Sequence, residues 1–125
     1  MLISELNQEE RYALLGLLKL IVRADHQLSS GETDQLRRIA KLMGEELFLD
    51  TTRAAHEMFK KTSDIKRYSE KITRHEARAL LYDLSREAAE VGGISPEEGH
   101  ELNWLAKLWD LEIGNDYKRV TAAGD

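Results

Sequence analysis

From Ala13 to Val22 the chain is apolar at nearly every position, interrupted by Gly16 and Lys19. Leu14, Leu15, Leu17, Leu18, Ile21 and Val22 wrap most of the circumference of a helix running from about Gln8 to Arg23, which places that helix at the centre of the fold. Leu36, Ile39, Ala40 and Met43 then recur at three- and four-residue spacing on a helix that opens after Ser29 and stops at Gly44. The same spacing returns in Ala77, Leu80, Leu81, Leu84, Ala88 and Val91 before Gly92-Gly93. It appears again in Leu102, Leu105, Ala106 and Trp109, behind a Ser95 cap with Pro96 at the first helical position. Between these runs, Asp50 to Lys61 reads as a helix packing Ala55, Met58 and Phe59, and Asp64 to Ile72 as a shorter one. Beyond Leu111, a turn at Gly114-Asn115 leads to a last helical piece from Asp116 to Val120, with Thr121 to Asp125 frayed. The pattern predicts an all-α fold, one compact domain over residues 1–125 with six to seven helices.

The helix starts are themselves patterned. Asn7 with Glu10, Ser29 with Glu32, Thr73 with Glu76 and Ser95 with Glu98 each place a capping side chain three residues before a glutamate that can reach back to it. Asn7 and Ser29 lie 22 residues apart, Thr73 and Ser95 again 22, and the second pair follows the first by 66. Aligning Leu28–Met43 with Ile94–Trp109 keeps Ser29/Ser95, Glu32/Glu98, Leu36/Leu102, Ala40/Ala106, Lys41/Lys107 and Leu42/Leu108 identical. This implies two related αα-hairpins, at about residues 7–44 and 73–111.

Composition narrows the class. The 125 residues are 42% hydrophobic and 33% charged, enough apolar material for one core. One proline and 6% aromatic residues leave little to build a β-sandwich or barrel. With no cysteine there is no disulfide framework or thiolate metal site, and a cytoplasmic location is expected. A net charge of −5 excludes a general nucleic-acid binder. The first ten residues have no basic side chain, unlike a secretory leader, and the Ala13–Val22 run is far shorter than the ~20 residues of a transmembrane helix.

The link inside the first hairpin reads Ala24-Asp25-His26-Gln27-Leu28-Ser29-Ser30-Gly31-Glu32. An alanine–aspartate pair closing one helix, then a hydrophobic residue, a serine and a glutamate opening the next, resembles the tellurite-resistance TerB-like family over about Leu14 to Leu111. That resemblance implies an all-helical fold with a repeated hairpin and a non-catalytic, stress-associated bacterial binding module. Two positions depart from the pattern: His26 replaces the usual glycine, and in the second copy Gly92 keeps the glycine while Val91 stands where aspartate belongs.

The acidic turns are the first chemical candidate. Asp25, Leu28, Ser29 and Glu32 match the second half of a calcium loop, but Ile21 and Arg23 occupy the places of its early ligands. Glu90 and Glu98 flank the equivalent turn of the second copy. Asp25, Glu32, Glu90 and Glu98 are therefore the candidate ligands for weak binding of calcium or another divalent cation, while capping alone accounts for Glu32 and Glu98 with no ligand. The histidines His26, His56, His75 and His100 share no zinc-helix spacing. No nucleophile elbow, phosphate loop or dinucleotide turn is present, which favours a non-enzyme. The rival is a metal-dependent enzyme with a cluster of Asp25, Glu32, Glu87, Glu90 and Glu98, although the Glu-x-x-His signature of helical carboxylate sites is missing.

Charge is the second candidate. Arg53 to Arg78 carries eight basic residues against four acids, a local +4, whereas Ala79 to Asp125 carries ten acids against four bases. Lys60, Lys61, Lys66, Arg67, Lys71 and Arg74 form a candidate docking surface for an acidic protein partner, for anionic lipid head groups or for a second copy of the chain.

Overall fold

The computed structural model describes residues 1–22, 30–91 and 93–111. A short 3₁₀ turn at Ile3–Glu5 precedes six α-helices: α1 (Gln8–Val22), α2 (Ser30–Met43), α3 (Glu45–Met58), α4 (Thr62–Ser69), α5 (His75–Val91) and α6 (Pro96–Leu108). No strand occurs among the described residues. The all-helical class is as the periodicity predicts; the proposed last piece, Asp116 to Val120, lies outside the described residues.

Helix α1 is central. From Ala13 to Val22 every residue except Lys19 is buried, and α1 packs against α3, α4, α5 and α6. A leucine-rich helix with so little polar surface is stable only when surrounded, since each fully buried leucine or isoleucine contributes roughly 1.5–3 kcal/mol. Its start follows the predicted box: Asn7 Oδ1 accepts the Glu10 N–H and Glu10 Oε1 accepts the Asn7 N–H, each at 2.9 Å. The same Glu10 carboxylate receives the Arg74 guanidinium, Nε at 2.7 Å from Oε2, so the start of α1 is tied to the segment leading into α5.

Helices α2 and α6 bury matching positions: Glu32 and Glu98, Gln35 and Glu101, Ile39 and Leu105, Met43 and Trp109, each pair 66 residues apart. At the far end of α6, the Trp109 indole N–H donates to the Ser69 carbonyl at 3.1 Å and fixes α6 to the end of α4.

Several boundaries differ from expectation. Helix α3 begins at Glu45 and not near Asp50, because Gly44 serves two helices at once. Its N–H donates to Ala40, its carbonyl accepts from Phe48, and its φ of 105° turns the chain without a connecting loop. Leu47 and Leu49 are exposed and Phe48 alone of this first turn packs inward, and Met58 is also exposed because α3 buries the face of Thr51 and Ala55, which continues to Phe59. Helix α4 starts at Thr62, where the Asp64 carboxylate accepts the N–H groups of Lys60 and Lys61, and ends at Ser69 and not Ile72. Helix α5 starts at His75, so Thr73 lies one residue outside the capping position expected of it. Val91 is half exposed where the pattern places it inward.

Candidate functional site

Glu32 and Glu98 are each the third residue of their helix, where a glutamate turns back toward the free N–H groups of the first turn. Both are buried, 4% and 2% exposed. In α6 the box is complete: Ser95 Oγ accepts the Glu98 N–H at 3.1 Å, and Glu98 Oε1 accepts the Ser95 N–H at 2.9 Å. Ser29, the matching cap of α2, lies outside the described residues, as do Asp25 and His26.

The two glutamates meet. The Glu32 carboxyl lies within hydrogen-bonding reach of the Glu98 carboxyl, so two acidic groups face each other inside the protein at the starts of α2 and α6. Burial raises the Glu98 carboxyl above the usual glutamate range, and contact with Glu32 pushes the same way against the lowering effect of the Ser95 N–H. Two carboxylates in such contact repel each other, while both helix N-termini favour negative charge here.

Close packing holds the two turns together. A Cβ added at Gly31 would stand 2.2 Å from Val91 Cγ1, so the first turn of α2 rests on the last residue of α5 at a distance that only glycine permits. Val91 thus contacts α2 from the position where the resemblance leads one to expect an aspartate. Gln35 adds a link, its Nε2 donating to Glu87 Oε2 at 3.3 Å.

Of the other candidate ligands, the described Glu87 and Glu90 do not join the pair. Glu90 is exposed and lies 3.7 Å from Arg86 Nε, and Glu87 is occupied by Gln35. Among the described residues no group of three or more histidine, aspartate or glutamate side chains is placed to hold a metal ion. The described part of the turn offers two carboxylates, hard oxygen donors suited to calcium or magnesium, against the six to eight oxygens that calcium gathers. The five-carboxylate cluster of the enzymatic rival is not assembled by Glu32, Glu87, Glu90 and Glu98.

The basic segment divides. Arg74 is bound to Glu10 and to the Glu5 carbonyl. Lys66 Nζ lies 3.1 Å from Glu101 Oε1 and 4.8 Å from the Trp104 ring centre. Both residues therefore serve the fold. Arg67 and Lys60 reach Asp64 and Glu57 at 3.5 and 3.8 Å in exposed pairs of little energetic weight. Lys61 and Lys71 are exposed and make no ion pair among the described residues, Lys71 lying 5.1 Å from the Tyr68 ring centre. The sequence offered no signal for the Glu10–Arg74 and Lys66–Glu101 partnerships, which join residues far apart in the chain.

Comparison with family models, curated proteins and solved structures finds no match for this chain. No helix among the described residues is long and apolar enough to cross a membrane.

Proposed function

We propose that the chain is a non-catalytic, TerB-like binding module of the bacterial cytoplasm, associated with stress response, whose paired acidic turns take up a divalent cation weakly. The observation that carries this reading is the meeting of Glu32 and Glu98. Two residues 66 apart, at the same position of their helices, bring buried carboxyls together. The equivalent burial of Gln35 and Glu101, Ile39 and Leu105, and Met43 and Trp109 supports an origin of the two hairpins by duplication. A cation bound between the carboxylates would offset their mutual repulsion, with water and backbone oxygens completing its shell.

A thermal-shift titration with calcium and with magnesium tests the proposal. The native chain is expected to melt higher at millimolar calcium, with a dissociation constant of roughly 10⁻⁴–10⁻³ M. Glu32→Gln and Glu98→Gln each remove a charged oxygen while keeping the shape of the side chain, and each should abolish the response. A native chain whose melting ignores both ions at several millimolar would leave capping as the whole role of these glutamates.

A second reading rests on the exposed ammonium groups of Lys61 and Lys71. They support a docking surface for an acidic protein or a second copy of the chain, acting with or without a bound cation.

A further inference from the structure

Lys19 is the one exposed residue in the otherwise buried run from Ala13 to Val22, and it borders an apolar opening. That opening is a groove of about 440 Å³ between α1 and α3, with Leu36 of α2 along one side. Its size falls within the ~300–1,000 Å³ typical of small-molecule pockets. The floor is sealed where Phe59 packs on Gly16, since a Cβ at Gly16 would come 2.8 Å from Phe59 Cε2. Leu36 and Phe48 remain only half covered on its walls, although both pack against the core.

Three polar side chains of the described residues line the groove: Thr52, Lys19 and His56. Thr52 is occupied within its own helix, its Oγ1 donating to the Phe48 carbonyl at 2.8 Å. That leaves the Lys19 ammonium and the His56 imidazole. Among the described residues no acidic side chain lines the groove and Lys19 has no ion pair. A basic rim over an apolar trough selects for an anionic head joined to an apolar tail. The geometry points to this groove as a binding site for a single-chain carboxylate amphiphile of medium length. The alkyl tail lies along Leu18, Val22, Phe48 and Phe59, and the carboxylate is held at Lys19 with His56 beside it. The site is separate from the acidic pair at Glu32 and Glu98.

The test is an NMR and calorimetric titration of the full chain with hexanoate, octanoate and decanoate, and with uncharged octyl glucoside, all below their micelle concentrations. Binding should saturate, shift the ring signals of Phe48, Phe59 and His56, and tighten about fourfold for each methylene added while the tail remains in the groove. Octanoate should bind more tightly than octyl glucoside. Lys19→Met keeps the apolar stem and removes the charge, so octanoate should weaken about three- to tenfold while octyl glucoside holds or improves. Thr52→Trp fills the mouth and should weaken both, with its melting curve checking that the fold is kept. Absence of saturable decanoate binding, or ring shifts located elsewhere, overturns the proposal. So does octanoate binding that Lys19→Met leaves unchanged, because a groove indifferent to head charge is one shaped for the apolar face of a protein partner.

Discussion

Glu10 and Glu98 hold the same capping position in their helices, yet their carboxyls are perturbed in opposite directions. The Arg74 guanidinium, hydrogen-bonded to Glu10, holds that carboxyl below its ordinary value of 4.5, outweighing the effect of burial. Its contribution to stability is therefore present above 4.5 and lost as pH falls through the depressed value. Glu98, raised by burial and by Glu32, contributes most below 4.5, and that contribution is lost as pH rises through its elevated value. Melting temperatures measured from about pH 3 to pH 8 should separate the two. Glu10→Gln is expected to melt lower than the native chain at neutral pH and to converge with it in acid. Glu98→Gln keeps the Ser95 box and should match the native chain in acid and hold its melting temperature better as pH rises. A Glu98→Gln chain with the native pH profile would mean that the Glu32–Glu98 contact is not felt by the fold. For the cation proposal the same sign applies: calcium should raise the melting temperature more at neutral pH than near pH 4.5, where the pair keeps its proton.

Among elements, the starts of α2 and α6 depend on how closely α2 approaches α5. Gly31 is needed for contact with Val91 and for no backbone reason, since it sits in regular helix. Gly31→Ala is expected to destabilise the fold by about 1–3 kcal/mol through overpacking. Combining it with Val91→Ala should recover most of the loss, and chemical denaturation of both single variants and the double variant checks the coupling. Most of the helices were legible in the sequence because α1, α2, α5 and α6 carry apolar stripes at helical spacing with caps or stop residues at their ends. The start of α3 was not, because Leu47 and Leu49 are exposed apolar residues and Gly44 serves two helices without a loop between them. The candidate site was half legible. A 66-residue offset marked Glu32 and Glu98 as equivalents, but their contact depends on the packing of Gly31 on Val91, which no spacing reveals. Glu90 shares the acidic character of the turn but faces Arg86, a partner four residues earlier on the same helix.

Across the whole molecule the charge asymmetry survives folding in reduced form. Arg74 and Lys66 are bound to Glu10 and Glu101, so the free cationic character of the central segment falls mainly on Lys61 and Lys71. If this face docks against the acidic C-terminal half of another copy, the chain should associate weakly at low salt in sedimentation velocity experiments. The association should fade as the Debye length shrinks from about 10 Å at 0.1 M to about 3 Å at 1 M. Lys61→Glu with Lys71→Glu should abolish it while lowering the melting temperature little, since neither ammonium is tied to an acid and Lys71 gives up a ring contact with Tyr68 alone. Association that persists in high salt, or in the double variant, would assign the contact to another surface.

Both tryptophans of the chain belong to α6 or its end: Trp104 beneath the Lys66 ammonium, and Trp109 sealed against the end of α4 through Ser69. Intrinsic fluorescence is consequently a reporter of one helix. It registers how α6 is seated, whereas the groove between α1 and α3 contains no tryptophan and fills without a direct optical signal. Circular dichroism, by contrast, averages over every helix of the chain. Coincident melting curves from the two methods would identify α6 as part of a single cooperative unit, and an earlier fluorescence transition would mark it as the element that detaches first.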